Sequence, residues 1–66
     1  MIAVYNSPED FPGQVVARLY EMGRPTDTVL IRPTVKEIHN EIRENTEMVF
    51  FQRGAEDVRS LVGVWF

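Results

Sequence analysis

The sequence predicts an α+β fold: a small antiparallel sheet of four or five strands with one helix packed on one face. Three observations carry this. The stretch 33–45, PTVKEIHNEIREN, has both the opening and the closing chemistry of a helix. Short β-branched and aromatic runs on either side of it alternate with the period of two that a strand requires. At 66 residues the chain is expected to form one compact domain (1–66), and a domain of that size buries only about 60% of the surface its unfolded chain exposes. A short helix needs a partner surface, and the flanking runs supply one.

The helix is the most strongly determined element. Thr34 is a good N-cap, and Glu37 three residues on completes a capping box. Val35, Ile38 and Ile42 fall at i, i+3 and i+7, a narrow apolar stripe on a charged helix. Asn45 is expected to end it in the left-handed conformation.

Residues 1–5 read as a first strand, Ile2 and Val4 on one face and Ala3 and Tyr5 on the other. The segment 6–13, NSPEDFPG, is dense in turn formers, with Phe11 expected to plug back onto the core. The segment 14–22 is ambiguous. Val15, Val16, Leu19 and Tyr20 match a helical stripe, yet as a strand the same residues place Val15, Ala17 and Leu19 on one face. Residues 23–27, GRPTD, read as a turn and 28–31 as a short strand. After the helix, 47–52 alternates Met48 and Phe50 with Val49 and Phe51. A polar stretch, 53–59, leads to a last strand over 61–66. Leu61, Gly63 and Trp65 are expected on one side of it, and Val62, Val64 and Phe66 on the other. Repeats, low-complexity tracts and linkers are absent.

The order Tyr5-Asn6-Ser7-Pro8, Asp10-Phe11-Pro12-Gly13 and Val16-Ala17-Arg18-Leu19-Tyr20, the helix opening Thr34-Val35-Lys36-Glu37-Ile38, and the ending Val62-Gly63-Val64-Trp65-Phe66 form a pattern. Together they resemble a group of small uncharacterised proteins from Gram-positive bacteria and their phages or prophages. The resemblance covers most of the chain, although its motifs are short and turn-like. It implies a strand over 14–22, and it carries no activity and no functional residues. Similar sequences tend to have two acids and then a proline near 56–58, where this chain has Glu56-Asp57-Val58.

Composition narrows the function classes. Without cysteine there is no disulfide framework, thiolate metal site or thiol nucleophile. No stretch approaches the roughly 18 continuous apolar residues of a membrane span. The N-terminal MIAVYNSPED lacks the pattern of a signal peptide, so a cytoplasmic protein is expected. Net charge is −3, which argues against nonspecific duplex binding. Six of the seven basic residues are arginines, a choice that suits bidentate contacts, although ordinary surface ion pairs account for it too.

Catalytic constellations are nearly missing. The single histidine, His39, lies at the margin of the apolar stripe and reads as a half-packed boundary residue rather than a general base. Glu9, Asp10, Glu56 and Asp57 lack the dense alternating oxygen ligands of a calcium loop. Ser7 and Ser60 sit in no nucleophile elbow, and the four glycines are isolated, so no phosphate loop exists. The expectation is a protein that is not an enzyme, with no cofactor, no metal and no small-molecule substrate.

The informative feature is apolar side chains on both faces of several strands. A four-stranded sheet is roughly 19 Å across and a helix about 10 Å wide, so one helix cannot cover both faces. Tyr5, Arg18, Tyr20, Phe51 and Trp65 are therefore the candidate partner-binding residues. Gly63 is expected to leave a gap on Trp65's face for a partner side chain. Two function classes follow. The first is a non-catalytic protein-interaction module or homodimer using an aromatic sheet face. The second, disfavoured by the net charge and the single lysine, is a single-stranded nucleic-acid binder that stacks bases on the sheet aromatics, with Arg18 or Arg53 on phosphate.

Overall fold

A computed structural model describes residues 1–66. Five strands, β1 (Ile2–Asn6), β2 (Val15–Glu21), β3 (Arg24–Arg32), β4 (Phe50–Gln52) and β5 (Leu61–Trp65), form one antiparallel sheet in the order β3-β2-β1-β5-β4. The helix α1 (Val35–Asn45) links the two edge strands, β3 and β4. It crosses one face of the sheet, so that face holds the core. Val4, Val15, Ala17 and Trp65 meet Ile38 and Ile42 there. Ile38 is fully buried, and burying such a side chain stabilises a fold by about 1.5–3 kcal/mol.

The ambiguous segment 14–22 is a strand. Its inward residues Val15 and Ala17 pair with Asn6 and Val4, so tertiary pairing overrides the helical spacing. The expected turn over 23–27 contracts to Met22 and Gly23, both at positive φ (50° and 76°), with Glu21 paired directly to Arg24. Two such residues make the tight hairpin turn that suits strand twist. The residues beyond it therefore join β3, which runs nine residues rather than four. Between Arg18 and Tyr20 the register slips, so β3 bulges around Thr26–Thr28. The Thr26 hydroxyl donates to the Leu19 carbonyl at 2.7 Å and accepts from the Thr28 N–H at 3.2 Å, which fastens the bulge.

Thr34 caps the helix, its hydroxyl oxygen accepting from the Glu37 N–H at 3.3 Å. The reciprocal bond runs from the Thr34 hydroxyl to the Glu37 carboxylate at 2.9 Å, rather than from the Thr34 N–H. The C-terminus differs from expectation. Asn45 is not left-handed; it stays helical, and Thr46 takes an extended conformation after it. Both the N–H and the hydroxyl of Thr46 donate to the Ile42 carbonyl, which satisfies the orphan acceptor that a left-handed residue would otherwise serve.

β4 is shorter than 47–52: the strand spans Phe50–Gln52, and ahead of it Val49 still exchanges backbone hydrogen bonds with Phe66. β5 contains a bulge: Val4 pairs with Gly63 and Tyr5 with Leu61, leaving Val62 unpaired. Leu61 is thus rotated to the face away from Trp65, whereas Val62 packs against the core. The expected gap at Gly63 does not exist. The Phe50 ring fills it, and a Cβ at position 63 would collide with that ring and with the Phe51 carbonyl. Phe11 is half-buried and is not among the side chains packed on the core cluster.

Gly63→Ala is expected to destabilise the protein by about 1–3 kcal/mol, the usual cost of overpacking where backbone is one of the obstacles. Chemical denaturation of the variant measures it, and an unchanged midpoint would show that β4 can retreat from β5.

Candidate functional site

The face opposite the helix carries side chains from all three central strands. Tyr5 pairs with Val16, and Ala3 with Arg18. Tyr20 lies at the Met1 end of β2, its N–H donating to the Met1 carbonyl at 2.7 Å. Four positions, about 13 Å of strand, separate the two tyrosines along the face. Their side chains lean together, the hydroxyls 3.0 Å apart, and close an arch over the Ala3–Arg18 pair. Ala3 and Val16 are accordingly buried although they point away from the helix.

Beneath the arch and beside the 7–14 loop lies a cleft of about 190 Å³ lined by Tyr5, Pro8, Asp10, Val16, Arg18, Tyr20 and Ser60. Arg18 donates to the Thr26 carbonyl at 2.7 Å and stands 3.8 Å from the Asp10 carboxylate. Its charge is thus held in place by the β3 bulge on one side and by the loop on the other. Burial, the bond to Tyr20 and the nearness of that second phenol push the Tyr5 hydroxyl up to about 12, against a weaker opposing pull from Arg18. A second hollow, about 250 Å³ and nearly all apolar, opens on the helix side between Ile2, Leu19, Leu30 and Ile42. Both volumes fall below the roughly 300–1,000 Å³ of small-molecule sites. No group of three or more histidine, aspartate or glutamate side chains converges anywhere.

Of the five candidate residues, Tyr5, Arg18 and Tyr20 come together in the cleft. Phe51 shares their face: it pairs with Val64, which pairs with Ala3, which pairs with Arg18. Three strand spacings, about 14 Å, separate Phe51 from Arg18. Trp65 does not belong to this surface. It pairs with Ile2 and Phe50 on the helix side and is 2% exposed. The residue that takes its place is Phe66, 60% exposed, its ring edge-on to Phe51 at 5.7 Å. Val49, 61% exposed, exchanges both backbone hydrogen bonds with Phe66 and joins them. The alternation of 47–52 already separated Val49 and Phe51 from Phe50. Which set faced outward became definite only with the β4–β5 register.

His39 sits on the covered side. Its ring lies 4.6 Å from Phe50 and 5.2 Å from Trp65, and the Arg43 guanidinium stands 5.8 Å from the Trp65 ring centre. Burial first, and then the Arg43 charge, hold the imidazole below its ordinary pKa.

No family model matches this chain, and neither does any curated protein or solved structure. No helix is long and apolar enough to cross a membrane.

Two outcomes follow from these environments. Because the folded protein resists protonating His39, that residue's contribution to stability is complete above about pH 6.5 and is lost as pH falls toward its lowered folded value. Thermal midpoints between pH 7.5 and 5 should therefore decline less in His39→Gln than in wild type, and parallel curves would contradict the assignment. Tyr20→Phe removes the hydroxyl bond and the second phenol, leaving burial alone to hold Tyr5 up. Ultraviolet titration should then show Tyr5 ionising at lower pH than in wild type, though still above the ordinary phenol value.

Proposed function

We propose that this protein is a non-catalytic interaction module that binds a protein partner through the helix-free face of its sheet. The observation that carries the reading is the exposed group Val49, Phe51 and Phe66 at one end of that face, with Phe51 edge-on to Phe66 and Val49 backbone-paired to it. Scattered apolar residues are normal on a surface, whereas a contiguous set marks an interaction site. The arch of Tyr5 and Tyr20 extends the surface toward β2 with rings that keep a polar tip, the composition that interfaces favour. The resemblance to small proteins of Gram-positive bacteria and phages is compatible with an accessory role in the cytoplasm.

Single-stranded nucleic acid gains no support from the cationic groups. Arg18 is held by the Thr26 carbonyl beside the Asp10 carboxylate. A phosphate would have to displace these bonds in a chain of net charge −3.

A photo-reactive phenylalanine analogue at position 51, compared with one at the helix-surface position 36, tests the proposal in native cells. Protein adducts from position 51 and none from position 36 are expected. Adducts to nucleic acid, or equal yields at both positions, would sink it.

A further inference from the structure

The two edges of the sheet are built differently. On β3, Pro25 lacks an N–H, the Thr26–Thr28 bulge breaks the line, and Arg24, Asp27 and Arg32 add charge. These are the devices by which proteins keep an edge from pairing. On β4, the strand Phe50–Gln52 has no proline, charge or bulge. Its outer backbone groups can be identified. Val49 exchanges both bonds with Phe66 at 2.8 and 3.0 Å, and the Arg53 N–H reaches the Val62 carbonyl at 3.2 Å. By the alternation of an antiparallel ladder, Phe51 also faces β5, and the N–H and C=O groups of Phe50 and Gln52 point outward, unpaired.

We infer that this edge binds a second copy of the chain, β4 against β4, with the two-fold axis at Phe50. The inference rests on the reading of the Val49–Phe51–Phe66 group as an interaction surface, and it names the partner. Charge and apolar matching choose the register. With Phe50 on the axis, Phe51 lies opposite the partner's Val49, and Arg53 lies opposite the partner's Glu47, each pair occurring twice by symmetry. Moving the axis to Phe51 sets Val49 against Arg53. Moving it to Val49 sets Phe51 against Glu47. Only one register pairs apolar with apolar and cation with anion.

In that register the two Phe50 residues exchange backbone hydrogen bonds, and each Gln52 N–H meets the partner's Met48 carbonyl. The ladder stops there, because the Met48 N–H already donates to Thr46. Val49, Phe51 and Phe66 from both copies then form one cluster across the axis, on the face away from both helices. Four backbone bonds and six apolar side chains make a small interface, below the roughly 1,000 Å² of stable complexes, so the dimer is concentration-dependent.

Sedimentation of the full chain across a hundredfold concentration range, at low salt, tests this. Wild type should pass from monomer to dimer. Arg53→Glu and Glu47→Arg, each of which sets like charges opposite one another twice, should raise the dissociation constant about tenfold, and the double exchange should restore it. Arg53→Glu also loses the bond to the Asp57 carbonyl, so a second variant is needed. Gln52→Pro removes an outward N–H that the monomer does not use, and it should abolish the dimer while leaving the circular dichroism spectrum unchanged. A dimer that persists in Gln52→Pro, or one indifferent to both charge variants, would overturn the inference. A strict wild-type monomer would overturn it too. Protein adducts at position 51 would then leave the interaction reading standing, and their absence would remove both.

Discussion

The Phe50 ring can lie against β5 because position 63 has no side chain. Around that contact the rest of the structure is arranged. Phe50 rests over Gly63, 5.2 Å from the Trp65 ring, and His39 from the helix covers the pair. Three aromatic rings and one missing Cβ thus lock β4 to β5 and the helix to both. Aromatic pairs in tilted or edge-on geometry contribute about 0.5–1.5 kcal/mol beyond their buried area. In a chain with so small a core, two or three such pairs are a sizeable share of the whole stability.

The same contact decides what the other face shows. Once Phe50 points inward, period-two geometry turns Val49 and Phe51 outward, and Phe66 follows because it pairs with Val49. The sheet therefore carries two different chemistries on its open side. Near β2 the tyrosine arch and the loop cover Ala3 and Val16 and leave a polar cleft around Arg18. Near β4 nothing in the chain covers the apolar side chains. The bulge at Val62 marks the changeover, since it sends Leu61 to the open face and Val62 to the core.

Much of this was legible in the residues. The helix, its cap and its buried pair Ile38 and Ile42 followed from spacing and capping chemistry. So did the α+β class and the grouping of Tyr5 with Arg18 and Tyr20 on one face. What was not legible depended on register. Trp65 and Phe66 are adjacent and both aromatic, so alternation says that they oppose one another and not which is covered. Gly63 reads as a gap in the sequence, and only the position of Phe50 shows that the gap is filled from within the chain. The nine-residue β3 was hidden because Pro25 signals a turn in sequence but is tolerated on an edge strand. The bulge at Val62 has no local signature, so strict alternation over 61–66 places Gly63 to Phe66 and misplaces both Leu61 and Val62.

The sheet order places β1 between β2 and β5, so the first strand of the chain has one neighbour nearby in sequence and one almost at the other extreme. The β2–β3 hairpin and its pairing to β1 can form early, through local contacts closed by a two-residue turn. The second edge of β1 stays open until β5 reaches it. Loop closure over such a distance is slow relative to hairpin formation. The β1–β5 pairing therefore carries the largest loop-closure cost in the sheet, and it is the pairing that covers the second edge of β1.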